Sequence, residues 1–483
     1  MSEKMLKDKV AGGVAWSIAE KVGSMLLQMV VSIIVARLLA PEDFGVMAIL
    51  TFFTALALVM VDSGFSQTLI RKAAPSQQDY QSVFVFNIAV SVVLYAALVA
   101  VAPAVARYYE LPIIARIAPV LFLLLPINAL CVIQNTIFTR EFRFQLLSKA
   151  NFAASFVAGM VAIAMALAGC GVWSLVGQRV TTLAVKTLIL WVRSDWRPTF
   201  GVTMKPVREM APFSFRLLTT DLISSVYNNI SQMFIGKIYS ADTLGFFNQA
   251  QKFKDLPLTS AMQSVQSVTY PALSNISDQQ EKFAESYRQV LMVVAFMLFP
   301  VMIGIAAVAE DLFALLLGEK WMPTVPYLQI LCLMGVFQPL AIIAYNILKV
   351  KSNGSIILRL EIAKKALMTL LLALTIPHSV KAVAWGLVAM SCCEFFINFI
   401  ASLRYTSLGV WRTMRTLLPI ALITAVMFAA VHFVGGAMGE CSVAVRLVAE
   451  IAVGVVVYTL LAVVFRLEAV SEIRGLLRRM ISK

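Results

Sequence analysis

Polar and charged side chains interrupt the apolar stretches of this sequence at a spacing that could build a binding site. Between 243 and 272 they recur every three or four residues, the period of one α-helical face, at Asn248, Lys252, Asp255, Thr259, Gln263 and Gln266. Lysine and arginine suit phosphate recognition, and a buried carboxylate beside them can exchange a proton or a sodium ion. The pattern therefore favours a hydrated cavity that binds an anion.

Other apolar stretches carry residues of the same kind, and the cations among them outnumber the carboxylates. That balance favours phosphate as the bound group. The candidate substrate-binding residues are Lys21, Arg179, Arg216, Lys252 and Lys364. The candidate ion-coupling residues are Glu20, Asp255 and Glu361, and the polar face of the cavity adds Asn228, Asn248 and Gln263. For any single charge, the alternative is a buried ion pair or a side chain that reaches the membrane interface.

The elements that position these residues are membrane-spanning helices. Of the 483 residues, 60% are hydrophobic and 14% are charged, which is more apolar surface than a water-soluble domain buries. A spanning helix needs about 20 mostly apolar residues. We place about fourteen such stretches, at 13–38, 44–66, 82–106, 114–136, 146–168, 172–192, 210–236, 243–272, 287–308, 325–348, 355–376, 381–403, 416–434 and 443–465. The predicted fold is an all-α integral membrane protein.

The net charge of +14 follows membrane topology. Lysine and arginine concentrate in alternate loops, and the positive-inside rule then places both termini in the cytoplasm. No nucleic-acid partner is expected, and the first apolar run is predicted to be a retained helix. The loops are too short for a catalytic domain, and no nucleotide-binding or metalloprotease motif occurs. We therefore expect a transporter with no cofactor beyond a coupling ion, H⁺ or Na⁺. The six cysteines show no metal-ligand spacing.

A short repeat suggests how the helices are organised. "ARLLAPEDFG" at 36–45 aligns without a gap on "GKIYSADTLG" at 236–245, each between two apolar runs. This predicts two parallel, pseudo-symmetric six-helix bundles followed by two extra helices. The predicted divisions are an N-terminal lobe at 1–200, a C-terminal lobe at 201–408, and two helices with a basic cytoplasmic tail at 409–483. The cavity is expected between the lobes, lined by the first, second, seventh and eighth spans.

Three stretches carry a family resemblance: "VARLLAPEDFGVMAI" (35–49), "DSGFSQTLIRK" (62–72) and "TREFRF" (139–144). With them the chain resembles the polysaccharide-exporter branch of the multidrug/oligosaccharidyl-lipid/polysaccharide flippase superfamily, and within it flippases of the colanic acid and teichuronic acid type. The resemblance implies a flippase of the bacterial inner membrane. Its substrate would be an undecaprenyl-diphosphate-linked oligosaccharide destined for a surface polysaccharide, such as lipopolysaccharide or exopolysaccharide.

The resemblance also implies ion-coupled alternating access, in the manner of an antiporter. Membrane lipids and the polysaccharide polymerase or export machinery are the expected partners. Three alternatives stay open: a lipid II flippase, a cation-coupled multidrug exporter, and a membrane polymerase or ligase of lipid-linked sugars. A drug exporter for organic cations should have an acidic cavity, and a polymerase usually needs a large outer loop. Neither feature is present in the sequence.

Overall fold

The computed structural model describes residues 23–199, 201, 203–275, 279–352, 354–406 and 409–472. Within these ranges the chain is almost entirely helical and no strand occurs. Ten helical segments are long and apolar enough to cross a membrane. They make the chain a multi-pass membrane protein, as predicted. The shorter helix at 23–38 and three long, more polar helices lie where four further spans were predicted, and the total of fourteen stays a prediction.

The chain divides into two compact units, Met1–Gly245 and Phe246–Lys483. The predicted lobe boundary at 200 lies earlier in the chain, and the two-lobe symmetry stays a prediction. The helices of the first unit are α1 (Gly23–Leu38), α2 (Pro41–Asp62), α3 (Phe65–Arg71), α4 (Gln77–Tyr109), α5 (Ile113–Leu121), α6 (Leu124–Arg140), α7 (Phe144–Leu167), α8 (Trp173–Arg193) and α9 (Lys205–Ile238). Helix α10 (Ala241–Asn275) begins at the end of this unit and continues into the second.

The second unit continues with eight helices and two short 3₁₀ turns, at Glu319–Thr324 and Leu403–Tyr405. The helices are α11 (Gln280–Ala307), α12 (Ala309–Leu316), α13 (Val325–Cys332), α14 (Met334–Lys351), α15 (Gly354–Thr375), α16 (Val380–Ser402), α17 (Val410–Ala437) and α18 (Val443–Val464).

Local sequence signals set several helix ends. Asp79 and Ser76 cap α4 reciprocally: the Ser76 Oγ accepts from the Asp79 N–H at 3.2 Å, and the Asp79 carboxylate accepts from the Ser76 N–H at 2.7 Å. Helix α2 begins with Pro41, whose missing N–H is tolerated in the first turn. It ends at Ser63 and Gly64, both with positive φ. The elbow in "LAPEDFG" and the break before α3 are thus specified by local residues.

One predicted span is two helices. The stretch expected at 114–136 divides between α5 and α6, with Phe122 and Leu123 between them. Pro126 has no N–H to donate to the Phe122 carbonyl, so the helical hydrogen bond at this step is missing. The Phe122 carbonyl accepts from the Leu125 N–H at 2.9 Å instead, one residue short of the α-helical spacing. The two pieces still form one apolar segment long enough to span a membrane.

Apolar clusters inside each unit hold the helices that carry the candidate residues. In the first unit, Phe65 of α3, Phe84 of α4, Ile133 of α6 and Met210 of α9 belong to one buried cluster. In the second unit, a larger cluster joins α11, α14, α16 and α17. Burial of large apolar side chains contributes about 1.5–3 kcal/mol each, so these clusters fix α9 and α16 while leaving their polar side chains to other surroundings.

Candidate functional site

Two arginines of the first unit lie within helices and have no partner among the residues that the structure describes. Arg179 occupies the second turn of α8, and Arg216 lies about a third of the way along α9. Both side chains are exposed. In the described part of the chain, neither guanidinium group makes a hydrogen bond or an ion pair. An uncompensated cation within a membrane helix costs at least a few kcal/mol. Uncompensated cations in membrane helices normally face an aqueous cavity or bind an anion.

Acidic and amide side chains accompany Arg216. Asp62, at the end of α2, accepts a hydrogen bond from the Ser66 hydroxyl. Asp221 of α9 is near enough for its charge to act on Asp62. Asn228, two turns further along α9, is exposed. Helix α9 therefore carries cationic, anionic and neutral polar groups, as its sequence pattern predicts, although the approach of Asp62 to Asp221 was not foreseen.

Lys364 of α15 lies at the centre of a charged cluster in the second unit. Its side chain is 3% exposed. The Lys364 ammonium pairs with the Glu361 carboxylate on the same helix, and with the Glu394 carboxylate of α16 at 3.1 Å. It also lies 5.0 Å from the centre of the Tyr345 ring, on α14. The structure therefore brings together two predicted site residues, Lys364 and Glu361. An anionic ligand would have to compete with two carboxylates for Lys364.

The polar face of α10 is described only in part. Asn248 is half-buried, and Lys252 is exposed. The Asp255 carboxylate pairs with Lys254 at 2.8 Å, and the Lys254 side chain is 6% exposed. The side chain of Gln263, together with Glu20 and Lys21, lies outside the described residues. The role of this face in ion coupling stays a prediction.

The second unit also contains a cavity that the sequence reasoning did not identify. It has a volume of about 980 Å³, and helices α11, α13, α14, α17 and α18 contribute to its walls. Asp311, Arg446 and Glu450 lie at one end of it. The four-residue spacing of Arg446 and Glu450 places both on one face of α18, which is the only local signal for this end of the cavity.

No group of three or more His, Cys, Asp or Glu side chains is placed to hold a metal ion in the residues that the structure describes. The candidate residues themselves can act by ion pairing and hydrogen bonding. The guanidinium groups of Arg179 and Arg216 can each form two parallel hydrogen bonds to a phosphate.

Comparisons with known proteins agree with the fold and with a membrane protein of polysaccharide biosynthesis. A model of the polysaccharide biosynthesis protein family matches residues 34–326. The succinoglycan biosynthesis transport protein ExoT of Rhizobium meliloti is 24% identical over 331 residues, covering 68% of this chain and 67% of its own length. The teichuronic acid biosynthesis protein TuaB of Bacillus subtilis is 23% identical over 426 residues, covering 87% of each chain.

Among solved structures, the lipid II flippase MurJ in an inward closed conformation aligns with a TM-score of 0.74. The alignment covers 94% of this chain and 98% of MurJ, at 14% sequence identity. At that identity the match shows a shared fold. Because the alignment covers almost the full length of both chains, it excludes the fold of a small soluble enzyme and that of a simple helical bundle.

Proposed function

Because this chain belongs to the polysaccharide biosynthesis protein family, we propose that it is a flippase for a lipid-linked oligosaccharide. Its substrate would carry an undecaprenyl-diphosphate anchor, and its product would be the same molecule in the opposite leaflet of the bacterial inner membrane. The names of ExoT and TuaB associate those relatives with succinoglycan biosynthesis transport and with teichuronic acid biosynthesis. The MurJ-like fold supports a transporter and not an enzyme.

One observation supports the proposal: Arg179 and Arg216 lie within helices of the first unit and pair with none of the described residues. A diphosphate is the invariant anionic part of such a substrate, whereas the glycan differs between systems. Each well-placed charged hydrogen bond contributes on the order of 1.5–3 kcal/mol. Two arginine guanidinium groups can therefore bind the diphosphate head group without contacting the glycan. An organic cation, the substrate of a multidrug exporter, would be repelled by the same side chains.

Transport would follow alternating access. The diphosphate binds to the arginines from one side of the membrane, the polyprenyl chain stays in the lipid, and the glycan crosses with the head group. We propose that an ion gradient, of H⁺ or Na⁺, resets the cycle. The carboxylates suited to this step are Asp255 and Glu361, since each is paired with a lysine that an anion could engage. Lys21, Lys252 and Lys364 are proposed as further contacts to the head group.

Orientation follows from the charge bias of the loops. We propose that both termini are cytoplasmic, and that the substrate is loaded from the cytoplasmic leaflet, where lipid-linked sugars are assembled on their carrier. Delivery to the outer leaflet would supply a polymerase or export complex there.

A deletion strain tests the proposal. In its absence we expect the complete lipid-linked oligosaccharide to accumulate in the inner membrane, identified by mass spectrometry of extracted lipids, while surface polysaccharide disappears. Complementation by the wild-type gene should reverse both effects. If surface polysaccharide continues at the wild-type level in a strain without a second copy, or if the accumulated glycan is incomplete, the proposal is wrong.

A further inference from the structure

The cavity of the second unit has an apolar body and a charged end. Phe299, Ile303, Phe337 and Phe428 are among the apolar residues that line it. The charged end lies where α11 and α17 end and α18 begins, which is the level of the lipid head groups for helices that span a membrane. A ligand for this space combines an apolar part with a charged head.

Glu450 carries the inference, because its carboxyl group is buried without a hydrogen bond. The residue is 6% exposed and lines the cavity. Within the described residues, its Oε2 atom has no hydrogen-bond partner. A buried polar group without a partner is destabilising, and a charged one more so. A bound ammonium group would supply both a hydrogen bond and the opposite charge.

The absence of a side chain at Gly435 leaves room for the Glu450 carboxyl group. A methyl group added at Gly435 would overlap Glu450 Oε1, so only glycine on α17 leaves room for the carboxyl group in this position. The neighbouring Gly436 has open space around it. The Glu450 side chain therefore lies in a cradle formed by the backbone of the adjacent helix.

The other charged groups at this end supply a site for an anion. Arg446 donates from Nε and Nη2 to both carboxylate oxygens of Asp311. Its Nη1 atom makes no hydrogen bond in the described part of the chain. Asp311, Arg446, Glu310 and His432 are all near enough for their charges to act on Glu450. One unsatisfied acceptor and one available donor thus lie on residues four apart, on the same face of α18.

We propose that this cavity binds a phosphatidylethanolamine-type lipid, with its ammonium group on Glu450, its phosphate on Arg446 Nη1, and acyl chains against the apolar walls. The zwitterionic head matches the adjacent acceptor and donor, whereas an anionic head group would meet Glu310, Asp311 and Glu450. The volume of about 980 Å³ is at the upper end of the range for small-molecule pockets. The bound lipid would be distinct from the transported one.

Lipid retention by the purified full-length chain tests the site. The protein in detergent is mixed with equal amounts of phosphatidylethanolamine and phosphatidylglycerol that have identical acyl chains, and native mass spectrometry counts the lipids retained. We expect preferential retention of phosphatidylethanolamine by the wild type. Glu450→Gln should weaken it about ten- to a hundredfold, the change expected when one charged hydrogen bond is lost. Gly435→Ala should weaken it too, by displacing the carboxyl group.

Glu440→Gln is the matched control, because Glu440 is exposed in the loop before α18, and it should leave the preference unchanged. Equal retention of the two lipids by the wild type would overturn the proposal. An unchanged preference in Glu450→Gln would do the same. The head-group preference of the wild type needs no variant, so a variant that misfolds does not weaken the test.

Discussion

Gly45 of α2 packs directly against the backbone of Ala241, at the start of α10, so that a methyl group added to Gly45 would overlap the Ala241 carbonyl. The contact is reciprocal, since a methyl group at Gly245 would overlap the carbonyl of Pro41. These four residues occupy equivalent positions in the two copies of the repeated elbow.

Alanine at Gly45 or Gly245 should therefore disrupt the contact between the elbows. Neither carbonyl belongs to a flexible side chain, so the backbone must move, and overpacking of this kind costs about 1–3 kcal/mol. We expect a lower melting temperature for each variant in detergent. Gly304→Ala is the control, because the nearest atom to its added methyl group would be the Met427 Cε at 3.9 Å. Equal melting temperatures for Gly45→Ala and Gly304→Ala would contradict the prediction.

Arg288 should connect α11 to the segment that follows α18. Its guanidinium group pairs with Glu285 at 2.7 Å and with Glu468, beyond α18, at 2.6 Å. The arginine is 13% exposed but Glu468 is largely exposed, so solvent screens part of the interaction. We expect Arg288→Ala to lower stability by about 1–2 kcal/mol, measured by thermal unfolding. Arg415→Ala, at an exposed cation of α17, should have no such effect.

The charged cluster at Lys364 allows a structural role to be separated from substrate binding. Lys364→Met leaves Glu361 and Glu394 without their shared cation, and because both carboxylates are partly exposed, solvent screening reduces the cost to about 1–2 kcal/mol. The triple variant Lys364→Met, Glu361→Gln, Glu394→Gln removes the uncompensated charge and should regain normal membrane levels. If Lys364 binds the head group or Glu361 couples the ion, surface polysaccharide stays absent in the triple variant. Recovery of surface polysaccharide would assign Lys364 to packing alone.

Two exposed cysteines report the orientation in the membrane. Cys170 precedes α8 and Cys441 precedes α18, and the charge bias predicts both on the outer face. A membrane-impermeant maleimide should label both in intact spheroplasts. Glu141→Cys, in a chain with Cys170 and Cys441 replaced by serine, should react only after permeabilisation, since Glu141 lies in a predicted cytoplasmic loop. Labelling of Glu141→Cys in intact spheroplasts would reverse the topology.

The sequence predicts helices well here because each is specified locally, by an apolar run and by residues at its ends. The pairing of Lys364 with Glu361 is also local, because the two residues are three apart and therefore lie on one helix face. Glu394 reaches the same lysine from the next helix, and Asp311 reaches Arg446 across 135 residues. Contacts of that range depend on helix packing, which periodicity does not encode. The cavity around Glu450 was unforeseen for the same reason.

The repeated elbow shows a second limit of prediction from sequence. The repeat reveals that 36–45 and 236–245 are equivalent, but an alignment of two segments does not say that they contact each other. The sequence offers only the glycines, Gly45 and Gly245, at matched positions. Their meaning becomes clear once Ala241 and Pro41 lie against them.

The central claim is that unpaired arginines carry a diphosphate head group across the membrane. Its most direct test is a flipping assay in vesicles that contain the purified protein and the lipid-linked oligosaccharide, with an added glycosidase that cleaves only the outward-facing glycan. We predict that the wild type exposes the whole pool to the enzyme. Arg179→Ala and Arg216→Ala should leave only the initially outward fraction cleavable, while Arg193→Ala and Arg208→Ala, at exposed ends of the same helices, behave as wild type. Complete cleavage with both Arg179→Ala and Arg216→Ala would contradict the account.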